Sequence, residues 1–274
     1  MREKTAALLE ACKGILAEYD GEQVTLRHLY YRLVAAQIIE NSFKSYKNFK
    51  SMTGRWRKAK HLDPKVFCDP TRETVLPGTW SDLSDFSATV RKAYRRDPWQ
   101  GQERRPEVWC EKQALLSIFG PICRAYGAAL QVCRGNPSIT SLVEAADRVE
   151  RILYFGDFDP TGRDIPRNIE QELRTRWGCA CSLGIIALTP EQIAEHNLPE
   201  NFAKKTDARY RRFVAEHGDR AVELDALPPD VLRSLIRQAI EAEITDPDAW
   251  QEQIDQEAEE RVKLGEWADG LGGP

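Results

Sequence analysis

The amino-acid sequence predicts an α/β protein with a mainly helical N-terminal domain. From Pro106 onward, short apolar runs alternate with helical patterns, as in a parallel sheet covered by helices. Before that point, apolar residues recur at helical spacing, and a segment rich in Pro, Gly and Asp follows them. We therefore expect a helical domain over residues 1–104, an α/β domain over residues 105–245 and a helical tail over residues 246–274.

The composition is that of an ordinary soluble protein. Of the 274 residues, 42% are hydrophobic and 30% are charged, and no apolar run is long enough to span a membrane. The N-terminal helix mixes acidic and basic residues, which is not typical of a signal peptide. The seven cysteines form no CxxC pair, which favours reduced thiols over disulfides or a structural zinc site. These features predict a cytoplasmic protein.

Charge is unevenly distributed along the chain. The net charge is -4, yet residues 1–106 contain 20 Lys and Arg against 13 Asp and Glu. The remainder contains 19 basic residues against 30 acidic ones. The positive N-terminal part is typical of a protein that binds a polyanion.

The second predicted helix, LRHLYYRLVAAQ, has two adjacent tyrosines with different surroundings. Thr25 is a suitable N-cap, and a first helix from about Lys4 to Tyr19 precedes it. At 100° per residue, Tyr30 lies at the edge of the apolar stripe and Tyr31 lies on the polar side, four residues after Arg27. A guanidinium beside the Tyr31 hydroxyl would favour the phenolate or hold a phosphate there. The alternative is that Tyr31 is merely an exposed aromatic residue.

Residues 43–60 form a basic, aromatic-lined helix. The basic residues, with no acidic residue among them, are Lys44, Lys47, Lys50, Arg55, Arg57, Lys58 and Lys60. One face of this helix is apolar and contains Phe49, Met52, Trp56 and Ala59. Positive charge without interleaved negative charge favours contact with nucleic-acid phosphates, although a solvated charged face is the alternative. The helices and the Pro- and Gly-containing segment after them suit a winged helix-turn-helix unit with a hairpin wing.

The α/β part can be read element by element. Strands are predicted at EVWC, ALQVC, ILYFG and LGIIAL. Helices are predicted at ALLSIFGPICRAYG, SITSLVEAADRVE, RDIPRNIEQELRTRW and TPEQIAEHN. The alternation indicates a compact parallel sheet with helices on its faces.

Polar side chains follow the ends of three of these strands. Asp157 and Asp159 follow ILYFG, and because side chains alternate along a strand, both lie on one side while Phe158 points away. Glu111 ends the first strand, and Arg134 follows the second. Since the carboxyl ends of parallel strands share one edge, the three carboxylates meet at a candidate Mg²⁺ site. Arg134 lies at the same edge and is a candidate DNA-binding residue. The alternative for Asp159 is that it caps the next helix.

Several of these motifs resemble one protein family. VWCEK, CRGNPSITSL and YFGDFDPTGRDI resemble the Toprim domain shared by the DNA-cleaving subunit of topoisomerase VI and the meiotic recombination nucleases, and VTLRHLYYRL resembles the catalytic-tyrosine helix of that family. The likeness is greatest to the small plasmid- and phage-borne members called mini-A topoisomerases. It implies that Tyr31 is the nucleophile, with Arg27 in the same helix. It also implies that Glu111, Asp157 and Asp159 hold Mg²⁺, with Mn²⁺ as an alternative ion.

The resemblance implies a reaction and partners. Members of this family cut double-stranded DNA through a 5′-phosphotyrosyl intermediate, and the tyrosine of one protomer meets the metal site of the other. The expected state is therefore a homodimer associated with the nucleoid. The chain contains no recognisable ATPase segment, so strand passage would require a separate ATPase subunit.

Two other functions are compatible with the motifs. The first is a Toprim nuclease that cuts with metal-activated water, as in some plasmid-defence complexes, leaving Tyr31 without a chemical role. The second is a haloacid dehalogenase-like phosphatase, because DFDPT fits the DxDxT motif with Asp157 as nucleophile. That motif normally opens the chain, whereas a basic helical domain precedes it here. The region that begins ELDALPPDV is expected to be helical and to support packing and dimerisation.

Overall fold

The computed structural model describes residues 3–19, 21–68 and 77–271 and divides them into two compact units. In the first unit, the described residues up to 68 pack with residues 106–240. In the second, residues 77–105 pack with residues 241–271. Composition marks a boundary along the chain but cannot show which distant segments pack together, so the units are divided differently from the three parts drawn along the sequence. The division of roles among those three parts stays a prediction.

The described chain contains helices and four strands. The helices are α1 (Glu3–Ala17), α2 (Leu26–Ala35), α3 (Phe43–Lys58), α4 (Leu83–Ala93), α5 (Leu116–Ala125), α6 (Ile139–Ala146), α7 (Pro160–Trp177), α8 (Pro190–Glu195), α9 (Tyr210–His217), α10 (Pro229–Glu241) and α11 (Pro247–Leu271). The strands are β1 (Pro106–Cys110), β2 (Ala129–Val132), β3 (Arg151–Phe155) and β4 (Ser182–Ala187). The predicted α/β class is confirmed. None of the helices described is long and apolar enough to cross a membrane.

The four strands form one parallel sheet in the order β2-β1-β3-β4. Cys110, the last residue of β1, lies opposite Val132 on one side and Phe155 on the other, so the three strands end together. Side chains of β3 alternate between the two faces: Tyr154 belongs to the core under α6 and α7, and Phe155 packs edge-on against Phe119 of α5. The sheet is therefore covered on both faces, and the residues that follow its strands share one edge.

The turn from β3 into α7 is held by a cap and a close backbone contact. The Asp159 side chain accepts a hydrogen bond from the Gly162 N–H at 2.6 Å, and Pro160 occupies the first helical position. A Cβ atom at Gly162 would collide with the carbonyl of Asp157. Glycine is required there because the helix starts directly against the backbone that carries Asp157.

The N-terminal helices form as predicted. The Thr25 side chain accepts a hydrogen bond from the His28 N–H and caps α2. Tyr30 is buried, and its hydroxyl donates to the backbone between α2 and α3, at the carbonyls of Glu40 and Ser42. No β-hairpin occurs among the described residues before Pro106, and residues 69–76, where part of the predicted wing falls, lie outside the description.

The second unit contains α4, the segment that follows it and α11, and ring and ion-pair contacts join that segment to α11. The Trp99 and Trp250 rings meet edge to face at 5.0 Å, and an Arg96 Nη1 lies 2.8 Å from Glu260 Oε1. The C-terminal tail is helical, as predicted. Its role in dimerisation stays a prediction.

A buried histidine joins α2 to the end of α1. The His28 ring is fully buried, with Nε2 2.5 Å from the Tyr19 hydroxyl and no partner for Nδ1. Burial, together with the cations Arg32 and Lys112, lowers the pKa of His28 to about 3. The folded protein thus holds this ring neutral at pH values where the unfolded chain would protonate it.

We expect His28→Gln to flatten the acid dependence of stability. Because the folded pKa is lowered, the unfolded state binds the extra proton, and stability is complete above the unfolded pKa of 6.5 and is lost as pH falls towards about 3. Between these two pH values, the free energy of unfolding should fall by up to about 1.4 kcal/mol per pH unit. Denaturant unfolding at several pH values measures it, with His61→Gln, an exposed histidine, as control. Equal slopes in all three proteins would show that His28 does not limit acid stability.

Candidate active site

Three acidic side chains from two distant segments of the chain form one cluster. Asp157, Glu223 and Asp225 each offer an oxygen, and the three oxygens lie within 4.8 Å of one another. Asp157 follows β3. The other two come from an extended segment at Val222 that pairs antiparallel with Phe158 through two backbone hydrogen bonds of 2.9 Å. This pairing brings two stretches about 65 residues apart in sequence into one acidic cluster.

Sequence reasoning missed Glu223 and Asp225. The ELDAL stretch was expected to belong to the helical C-terminal region, but Val222 is extended and only Leu224–Ala226 forms a 3₁₀ turn before α10. The signal that could have revealed it was the E-x-D spacing, which matches the alternation of the D-x-D pair. Pro228 and Pro229 after it mark the start of the helix, so the acidic pair precedes the helix.

Glu111 and Asp159 are held close to Asp157 in different ways. Glu111 Oε2 accepts a hydrogen bond from the Asp157 N–H at 3.1 Å. A Cβ at Gly156 would lie 2.9 Å from that oxygen, so glycine permits the approach. Asp159 uses Oδ1 to cap α7, which is the alternative role foreseen for it. The assignment of Glu111 and Asp159 as metal ligands stays a prediction.

A lysine ammonium lies inside the acidic cluster. Lys112 Nζ is 2.8 Å from Asp157 Oδ2, 3.7 Å from Asp225 Oδ1, and also pairs with Glu223. Burial acts to lower the pKa of Lys112, but the three carboxylates outweigh burial and raise that pKa well above its usual value. Lys112 is therefore a permanent cation. It follows Glu111 in the VWCEK motif, yet no chemical role had been expected for it.

One ammonium does not neutralise three carboxylates. Burial, opposed by Lys112, raises the pKa of Asp157 and of Asp225, and it also raises that of Glu111. Asp225 Oδ1 is buried and has no hydrogen-bond partner. Buried carboxylate oxygens with incomplete neutralisation are suitable ligands for a hard divalent cation. Asp157, Glu223 and Asp225 could therefore hold a hard divalent cation, and Mg²⁺ or Mn²⁺ as that ion stays a prediction.

Tyr31 lies beside the acidic cluster of its own chain. Arg27 Nη2 donates to the Tyr31 hydroxyl at 3.2 Å, and Lys112 Nζ lies 5.6 Å from the centre of the ring. A small pocket is lined by Tyr31 together with Asn201 and Glu223. Arg27 favours the phenolate, as expected, but burial and Glu223 outweigh it and raise the pKa of Tyr31. The phenol is therefore neutral at rest.

The predicted basic residues are largely presented to solvent. Six of those on and after α3 are exposed and form no ion pair within the described part of the chain: Lys44, Lys47, Lys50, Arg55, Lys58 and Lys60. Arg57 differs, because its guanidinium is half-buried and lies 5.0 Å above the Phe67 ring. Arg134 is exposed at the predicted edge of the sheet, where its N–H donates to the Glu111 carbonyl at 3.1 Å.

All seven cysteines are free thiols.

Comparison with models of protein families finds no match to this chain, and neither does comparison with curated proteins. Inferences about its function therefore depend on the geometry of this site and on the motifs described above.

We expect Lys112→Met to make stability depend strongly on divalent cations. Removing the ammonium leaves buried carboxylates uncompensated, which should cost about 3–5 kcal/mol without metal. Mg²⁺ or Mn²⁺ should recover more stability in the variant than in the wild type, because the ion no longer competes with an ammonium. Thermal unfolding with EDTA and with each ion measures this effect. Lys13→Met, at an exposed pair with Glu10, is the control; an equal metal-induced shift in all three proteins would exclude a metal in this cluster.

Proposed function

We propose that this protein cleaves double-stranded DNA in a Mg²⁺-dependent reaction with Tyr31 as the nucleophile, forming the same 5′-phosphotyrosyl bond as topoisomerase VI and the meiotic recombination nucleases. The observation that carries the proposal is the position of Tyr31. Its hydroxyl accepts a hydrogen bond from Arg27, and it lies next to an acidic cluster that could hold a divalent cation. A nucleophile, a phosphate-binding cation and metal ligands are the components that phosphodiester transfer requires.

The proposed step exchanges one ester bond for another. The Tyr31 oxygen attacks phosphorus, the bond from phosphorus to the 3′-oxygen breaks, and a 5′-phosphotyrosyl bond forms. The phenolic proton is lost and the 3′-oxygen gains a proton, so the reverse reaction can reseal the strand without an added energy source. Arg27 would hold the phosphate against the hydroxyl. A bound Mg²⁺ would stabilise negative charge on the phosphate oxygens.

The exposed basic residues of α3 support DNA as the partner. Six unpaired cations lie on and just after one helix of the same compact unit as Tyr31. Each contact between such a residue and a phosphate releases counterions and contributes affinity that does not depend on sequence. This arrangement suits a long polyanion better than a small phosphate ester.

A homodimer is part of the proposal, because cutting both strands requires two tyrosines. The family arrangement would pair Tyr31 with the metal site of a second protomer. Within this chain, however, Tyr31 already lies near Lys112 and Glu223 of its own cluster. We therefore propose that each protomer uses its own tyrosine and its own acidic cluster. A separate ATPase is a proposed further partner only for strand passage.

One observation favours a second candidate, a nuclease that uses metal-activated water. Burial and Glu223 raise the pKa of Tyr31, which opposes formation of the phenolate. A metal-bound water, in contrast, needs only the acidic cluster and no tyrosine. The two reactions leave different products, since only the tyrosine reaction attaches protein to DNA.

We expect Tyr31→Phe to abolish cleavage and adduct formation together. The substitution removes the nucleophilic oxygen and keeps the ring, so folding and DNA binding should persist. Supercoiled plasmid incubated with Mg²⁺ or Mn²⁺, quenched with detergent and analysed with and without protease, should show protease-dependent breaks for the wild type only. Tyr30→Phe is the matched control, because that hydroxyl only holds the backbone near Glu40 and Ser42.

Other outcomes identify the other functions. Normal cutting by Tyr31→Phe with no adduct would assign the reaction to metal-activated water. Hydrolysis of small phosphate esters that is lost in Asp157→Asn, with no action on DNA, would assign it to a phosphatase. Asp157→Ala should end cleavage under either metal-dependent proposal while DNA binding survives.

We expect a mixture of Tyr31→Phe and Asp225→Asn protomers to remain inactive. If each protomer uses its own cluster, every chain in a mixed dimer lacks one component. If the tyrosine acts on its partner, a mixed dimer regains one complete site. Nicking of plasmid should then return to about half of the wild-type rate per mixed dimer, or about a quarter over an evenly mixed sample. Light scattering on the same samples checks that the proteins are dimers; recovered nicking would contradict the proposed use of each chain's own cluster.

A further inference from the structure

One aromatic side chain beside the site is held in solvent. Phe202 is 83% exposed, although burying a phenylalanine is worth about 1.5–3 kcal/mol in folding. Lys204 and Lys205 follow it, are exposed, and make no ion pair within the residues described.

The backbone on both sides of Phe202 is anchored. Asn201 exchanges two hydrogen bonds with Ala221, its N–H donating at 2.8 Å and its carbonyl accepting at 2.6 Å. Ala203 is buried, and its N–H donates to Asp219 Oδ1 at 3.1 Å. These bonds fix the backbone before and after Phe202, and the ring between them is exposed.

The anchor connects this segment to the candidate active site. Ala221, the partner of Asn201, lies two residues before Glu223 of the acidic cluster. Asn201 also lines the pocket that contains Tyr31 and Glu223. Phe202 and the two lysines therefore follow, along the chain, directly after a residue of the pocket that contains Tyr31.

We infer that Phe202 contacts DNA bases next to the cleavage position, as a wedge between base pairs, while Lys204 and Lys205 bind the flanking phosphates. This inference rests on the proposed function in taking DNA as the partner. Apolar side chains on DNA-binding proteins unstack base steps in this way, and basic neighbours offset the phosphate charge. An aromatic ring with two adjacent cations matches a nucleic acid, which presents ring faces and anions within one nucleotide.

Phe202→Ala, made in the non-cleaving Tyr31→Phe background, tests the wedge. It should weaken duplex binding about tenfold or more and leave the salt dependence of binding unchanged, since no charge is removed. By contrast, Lys47→Ala with Lys50→Ala should reduce the salt slope by about two units. Phe202→Tyr should restore binding, and Trp177→Ala, at the far end of α7, is the control for loss of a partly exposed aromatic residue.

A second measurement reports on unwinding. Nicked plasmid closed by ligase in the presence of Tyr31→Phe protein should show a shifted distribution of topoisomers, and the shift should disappear with Phe202→Ala. Unchanged affinity and an unchanged topoisomer shift would overturn the inference, while cleavage by the wild type would leave the proposed function intact. If binding depends on Phe202 but the wild type does not cleave DNA, the inference stands and the proposed function is wrong. Absence of all DNA binding would overturn both.

Discussion

The structure of the site depends on the ion pairs between the Lys112 ammonium and three carboxylates. Asp157 comes from the end of β3, and Glu223 and Asp225 come from a segment far along the chain. Three carboxylates in this cluster would repel one another and resist desolvation, and the Lys112 ammonium among them offsets that cost. The same ammonium lies near the Tyr31 ring, so the charge balance of the cluster also sets the surroundings of the candidate nucleophile.

The parallel sheet makes this arrangement possible. Because β1, β2 and β3 end in register, Glu111, Arg134 and Asp157 reach the same edge, Arg134 in the left-handed backbone conformation with a φ of 52°. Two glycines allow close contacts at this edge. Gly156 leaves room for the Glu111 carboxylate, and Gly162 allows α7 to start directly against the Asp157 backbone. The sheet contributes Glu111 and Asp157 to the site, and the antiparallel pairing of Val222 with Phe158 brings the remaining two carboxylates.

The basic residues of α3 that we propose to bind DNA are separate from this charge network. The basic residues of α3 are exposed and have no carboxylate partners in the described chain, whereas Lys112 is fully engaged within the protein. The two roles require different surroundings. A cation that binds DNA phosphates must have no carboxylate partner within the protein, whereas a cation that stabilises a buried acidic cluster must be paired with its carboxylates. Arg57 illustrates the difference, since packing against Phe67 gives it a structural role within a basic helix.

Sequence by itself determined the α/β class, the four strands, the capped α2 helix and the greater burial of Tyr30 than of Tyr31. These features follow from periodicity and capping, which act over a few residues. Only the tertiary structure decided that Glu223, Asp225 and Lys112 join Asp157, that Asp159 serves as a helix cap, and that residues before 69 pack with residues 106–240. The reason is physical: such contacts arise between segments far apart along the chain, and neither local spacing nor composition records which of them come together.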